Sequence, residues 1–144
     1  VPLPRHNAKL VEAYRKTDYV VMLPNGDVHL KIGKYEPEKE AMIAEQTGCT
    51  ASWALITPCN PRSELAREQL NLFYFNNLRY ELDEKVGVWF KALNHDPDGQ
   101  WPDEPGFFLV DPDLHWTMDL GRNCGQHAIV AARLGQAPRL VWLD

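Results

Sequence analysis

Tyr19-Val20-Val21-Met22-Leu23-Pro24-Asn25-Gly26-Asp27-Val28-His29-Leu30-Lys31-Ile32 places two apolar, partly β-branched runs on either side of a Pro-Asn-Gly-Asp centre. Branched side chains suit a pleated strand, and Asn-Gly supplies the positive backbone angles of a tight hairpin turn. Tyr19 to Leu23 is therefore expected to pair antiparallel with Val28 to Ile32. A second turn signal, Gly135-Gln136-Ala137-Pro138, separates the apolar runs Ala128 to Leu134 and Leu140 to Leu143. An early and a late hairpin favour a mixed or largely antiparallel sheet over a doubly wound parallel one.

Between the hairpins, helical and extended patterns alternate. Asn7 is a cap for a short helix ending near Thr17, with Leu10, Val11 and Tyr14 on one face. Pro37 suits the first turn of a helix stopped by Gly48, with Ala41, Met42 and Ala44 as its inward positions. Ala51 to Thr57 contains the continuous apolar run Trp53-Ala54-Leu55-Ile56, the pattern of a strand buried on both faces. Asn60-Pro61 reads as the cap and first turn of the longest helix, reaching Lys85 through Leu65, Leu72, Leu78 and Leu82. Val88 to Leu93 and Phe107 to Val110 read as strands, and Asp111-Pro112 as the start of a helix ending at Gly125. The expected fold is α+β: one sheet of about five to seven strands packed with about three or four helices, residues 1–144 forming a single domain.

Composition narrows the functional classes. The formal net charge is -5, which argues against nucleic acid, because neutralising phosphates needs clustered Lys and Arg. The acids are concentrated: residues 81–119 hold ten against two bases. The opening residues Val1 to His6 lack the apolar core of a secretory signal, and no stretch approaches the length of a membrane span. A soluble cytoplasmic protein with no membrane partner is expected. Cys49, Cys59 and Cys124 are odd in number and unpatterned, so reduced thiols are expected.

Cofactor and metal signatures are thin. Neither a Gly-x-Gly-x-x-Gly turn nor a Walker-type phosphate loop occurs, so no nucleotide cofactor is expected. His95-Asp96-Pro97-Asp98-Gly99 has the alternate acids of an oxygen-rich cation loop, but it lacks the remaining ligand series and reads as a solvated Asp-Pro turn. Cys124 and His127 are close in sequence, yet without a Cys-x-x-Cys pair the cysteines read as small buried hydrophobes, and no metal is expected.

Three motifs carry more weight in combination. They are Thr57-Pro58-Cys59-Asn60-Pro61-Arg62-Ser63, followed by Asn71 and Leu78; Trp101-Pro102-Asp103-Glu104-Pro105-Gly106-Phe107; and Gly125-Gln126-His127-Ala128-Ile129-Val130. In this order they resemble the bacterial family called domain of unknown function 3293, over about residues 14–132. Members of that family usually show Thr-Ala-x-Asn-Pro, Trp-x-Glu and Gly-Gln-Asn-Ala. This chain has Pro58 in place of Ala, an additional residue between Trp101 and Glu104, and His127 in place of Asn. The resemblance implies a small bacterial protein and brings no activity with it.

Read as chemistry, the motifs favour recognition. Asn60 stands between a buried strand and a helix, where a side chain caps the helix or faces a ligand. Trp101 beside Glu104 pairs an aromatic wall with a carboxylate, suited to a cationic or hydroxylated ligand. Arg62 and Arg122 are candidate partners for an anionic group, and Gln126 and His127 complete the candidate set of ligand contacts. The preferred expectation is a non-catalytic binding or interaction domain whose polar pocket is built from the three motifs, its partner an unidentified protein or small molecule. The alternative is a small hydrolase or transferase using Glu104 and His127 for acid and base chemistry. A third reading makes Phe73-Tyr74-Phe75 an association surface, as in a homodimer.

Overall fold

A computed structural model describes residues 8–85 and 87–143. The expected Asn7 cap lies outside the described residues. The elements are α1 (Ala8–Lys16), β1 (Asp18–Leu23), β2 (Gly26–Leu30), α2 (Pro37–Thr47), β3 (Ser52–Ile56), α3 (Glu68–Lys85), β4 (Trp89–His95), β5 (Glu104–Val110), α4 (Leu114–Asn123), β6 (Ala128–Arg133) and β7 (Arg139–Trp142). The strands form one sheet in the order β2-β1-β4-β5-β3-β6-β7, and every pairing among the described residues is antiparallel. The fold is α+β.

The first hairpin is shifted by one residue from its expected turn. Leu23 pairs with Gly26, so Pro24 and Asn25 make the turn and Gly26, at φ 122°, opens β2. Pro24 presets the first turn residue, and glycine takes the positive angle at the exit. Asn25 is held instead through its N–H, which donates to Gln46 Oε1 at 2.8 Å.

The sheet curls. Val28 and Leu30 of edge strand β2 belong to the same buried cluster as Trp53, Leu55, Phe108 and Val130, with Leu140 of the opposite edge strand β7 packed against it. Beyond β2, Gly33 N–H donates to the carbonyl of Pro138 at 2.8 Å, joining the chain that leaves one edge to the chain that enters the other. α2 helps to close this inner face: Ile43 enters the cluster, and Glu40 accepts the Gly135 N–H of the β6–β7 turn. The inward positions of α2 are Ile43 and Thr47, one turn apart, whereas Ala41 and Met42 face solvent and Ala44 is half-buried.

The outer face carries α3 and α4 over Ala54, Ile56, Phe107, Leu109 and Ile129. β5 is the fourth strand of seven, and Phe107, Phe108 and Leu109 are all 0 % exposed because both of its faces are covered. The longest helix does not begin at Asn60-Pro61. Asn60, Arg62 and Ser63 take left-handed backbone angles around a 3-10 turn, Glu64 is extended, and α3 starts only at Glu68. Leu78 and Leu82 are buried, but Leu65 and Leu72 are 66 % and 59 % exposed. The helix expected from Asp111-Pro112 begins at Leu114, where Asp113 is the cap and accepts the Trp116 N–H at 2.8 Å.

β5 starts at Glu104, three residues before the apolar run that announces it. This early start places Glu104 in the sheet opposite Asn94 of β4. Antiparallel pairing then gathers the start of β1, the end of β4, the start of β5, the end of β3 and the start of β6 at one end of the sheet. Among the described residues, no helix is long and apolar enough to cross a membrane.

Candidate functional site

Asn60 is the hub of that end. It is 2 % exposed, and each of its polar groups is engaged. Its backbone N–H donates to Asn71 Oδ1 at 2.9 Å, and its Oδ1 accepts from Asn71 Nδ2 at 2.8 Å and from the Ala66 N–H at 2.9 Å. Its Nδ2 donates to Glu104 Oε2 at 2.8 Å. The left-handed backbone at Asn60, φ 48°, turns this side chain toward Glu104 instead of along a helix axis. Asparagine tolerates that conformation better than most residues. The mid-helix Asn71 is accounted for by the same network.

Trp101 reaches the site from the loop between β4 and β5. Asp96 shapes that loop by accepting the N–H groups of Asp98, Gln100 and Trp101, with Gly99 at φ 68° completing the turn. The indole Nε1 then donates to Glu104 Oε2 at 3.0 Å. Glu104 thus receives hydrogen bonds from Asn60 and Trp101, and Asn94 adds a third donor. Burial raises its carboxyl above the ordinary glutamate range, against the opposing effect of the Asn60, Trp101 and Asn94 donors.

Further hydrogen bonds pin the three motifs together. Thr57 Oγ1 donates to the Pro105 carbonyl at 2.8 Å, Gln126 Nε2 to the Cys59 carbonyl at 3.0 Å, and Arg62 N–H to the Gly125 carbonyl at 2.7 Å. Gly106 is required by proximity, since a Cβ there would stand 2.5 Å from the Ile56 carbonyl oxygen.

Part of this network borders a cleft of about 740 Å³, roofed by α1. Asn60, Trp101, Glu104 and Gln126 line it together with Asn94 and Asp96, while Tyr14, Leu55 and Val130 add apolar wall. Its size falls within the range of small-molecule sites. α1 is held over the cleft by the Lys16–Asp98 ion pair at 2.9 Å, by the Tyr19 hydroxyl donating to the Tyr14 carbonyl, and by an edge-to-face contact of Tyr14 with Trp142.

The other expected site residues stand apart. Arg62 has an exposed side chain and does not line the cleft. Arg122 donates from Nε to the Leu143 carbonyl at 2.7 Å and pairs with Asp119 at 2.8 Å, closing α4 against the chain end. His127 is half-buried outside the cleft walls, and its carbonyl accepts the Leu143 N–H. In the aromatic segment, Phe75 turns inward to stack on Phe107 at 4.6 Å between centroids, while Phe73 stays exposed.

The thiols are poor nucleophiles. Burial pushes Cys49 and Cys59 up to about 11 and Cys124 to about 12, so each is protonated near neutrality. Around the suspected cation loop, Asp96 faces backbone N–H groups, Asp98 pairs with Lys16, and His95 pairs with Asp103. Among the described residues, no three His, Cys, Asp or Glu side chains gather as a metal site would require.

Sequence reading missed Asn94, Asp96 and the roof supplied by α1. Asn94 becomes visible only once the β4–β5 register is known. The run of Asp96, Asp98 and Gly99 was the available signal for a built turn, and its consequence was the placement of Trp101.

Fold and site together define a small α+β protein whose curled antiparallel sheet carries a polar cleft at one end. Residues 56–129 match the family described as Protein of unknown function (DUF3293), and the chain belongs to that family. No curated protein and no solved structure matches it.

Proposed function

We propose that the chain acts as a one-domain binding protein that holds a small organic ligand in the cleft under α1. Asn60, Trp101, Glu104 and Gln126 supply its polar surroundings. One observation carries this reading: side chains from three separated motifs meet in one cleft of about 740 Å³. The network fixes them before a ligand arrives, which lowers the ordering cost of binding. A hydrolase or transferase using Glu104 with His127 has the raised Glu104 carboxyl in its favour. Its named partner His127 does not line the cleft, which counts against that pairing.

Ligand-observed NMR with a broad panel of small polar and amphiphilic molecules tests the proposal. The control is Ala13→Trp, which puts a bulky indole on the α1 wall of the cleft and leaves the residues of the Asn60 network unchanged. Binding by the native chain and its loss in the folded variant is the expected result. Binding that survives the obstruction places the ligand elsewhere and overturns the proposal.

A further inference from the structure

The charged side chains lining the cleft are Lys9, Glu12, Lys16, Asp96, Asp98 and Glu104, four acids and two bases. Lys16 and Asp98 cancel one another at 2.9 Å. Asp96 is committed to the backbone of its own loop. Glu104 differs, because its donors Asn60, Trp101 and Asn94 are all neutral amide or indole groups. They orient the carboxylate without cancelling its charge, while Lys9 and Glu12 add one charge of each sign on the α1 wall. Its other titratable neighbours, Tyr19 and Cys59, are held neutral by burial. His95, on β4, pairs with Asp103 outside the cleft walls.

A carboxylate in a half-buried, partly apolar site attracts a cation more strongly than one in open water, since solvent screens it less. Trp101 adds an aromatic ring bonded through its own N–H to that carboxylate, and aromatic faces attract organic cations. The apolar wall of Tyr14, Leu55 and Val130 asks for a hydrocarbon body in the same molecule. A bare metal ion fits neither requirement.

Building on the binding role argued above, we infer that the cleft takes an organic cation, its ammonium-type head against Glu104 and Trp101 and its apolar body along Tyr14, Leu55 and Val130. Binding such a head favours the ionised form of Glu104. The affinity for an amine therefore rises with pH as Glu104 titrates, and levels off while the amine is still protonated.

Isothermal titration of the native chain with 2-phenylethylamine, 2-phenylethanol and 3-phenylpropanoate tests this, since the three share a body and differ in head charge. The amine is expected to bind about tenfold more tightly than the alcohol, a difference well within reach of one desolvated charge, and the acid most weakly. In Glu104→Gln the amine loses its preference over the alcohol and its pH response. If that variant does not fold, the native ranking and the native pH profile decide. An alcohol or acid bound as tightly as the amine overturns the cationic assignment and leaves the cleft a binding site. Failure of all three probes, with failure of the broad panel, overturns both.

Discussion

Asp111 accepts the backbone N–H groups of Thr50, Ala51 and Ser52 together with the Thr50 hydroxyl, tying the entry of β3 to the exit of β5. Its backbone is left-handed, φ 48°, which Asp tolerates when its side chain is locally bonded. Desolvation would raise its carboxyl, but the donors from Ser52, Ala51 and Thr50 prevail and hold it at about 2. A folded value below the unfolded one, about 3.9, makes this stabilisation fully present above that pH and lost as pH falls toward about 2. Asp111→Ala is expected to cost about 1–2 kcal/mol at neutral pH, discounted for the exposure of the carboxylate. Urea denaturation should show the difference shrinking below pH 4 and nearly absent near pH 2 (roughly the two ends of the titration). Gly106→Ala drives a methyl group toward the Ile56 carbonyl, and a loss of about 1–3 kcal/mol in thermal unfolding is expected. Neither role was legible beforehand. Asp-Pro has the form of a helix start, and a glycine within an apolar strand does not disclose which backbone approaches it.

At the scale of elements, α1 and α3 show opposite modes of attachment. No residue of α1 is buried, and its anchors include the exposed Lys16–Asp98 ion pair, Lys31 Nζ donating to the Lys16 carbonyl and the contacts of Tyr14. Its amides should exchange with deuterium orders of magnitude faster than those of β3 and β5, and comparable protection would contradict so loose a hold. α3 is fixed by Phe75, Leu78 and Leu82, spaced three and four apart, with Leu82 fully buried. Leu82→Ala is expected to cost about 2–5 kcal/mol in chemical denaturation, whereas Leu72→Ala, at the surface, should change stability by less than about 0.5 kcal/mol. The expected start of this helix failed for a definable reason. Asn60 bonds Asn71, Ala66 and Glu104, and that network outweighs the capping geometry Asn-Pro suggests.

For the whole molecule, the two hairpins and the continuously apolar β3 were enough to argue an α+β fold with a mixed or largely antiparallel sheet, because turn chemistry and apolar runs are local properties. The order of strands was not, since insertion of β3 between β5 and β6 depends on contacts between distant segments. The site shows the same division. Asn60, Trp101, Glu104 and Gln126 stand out as motif residues, and the pairing of Glu104 with Asn94 brings in a cleft residue that no motif contains. The arginines and His127 looked equally suited to ligand contact, and only three-dimensional placement separates them from the cleft.

The position of β3 also has a consequence for synthesis. Both of its neighbours, β5 and β6, leave the ribosome after it does, so this strongly apolar strand emerges with no partner available. A nascent chain ending at Gln126 offers β3 only β5, leaving the Ser52–Leu55 side that β6 later covers as an open edge. Such a truncated chain should aggregate under conditions where the full chain stays dispersed, and light scattering of the two side by side would show it. β6, made after both β3 and β5, is therefore the strand that closes the middle of the sheet to other chains.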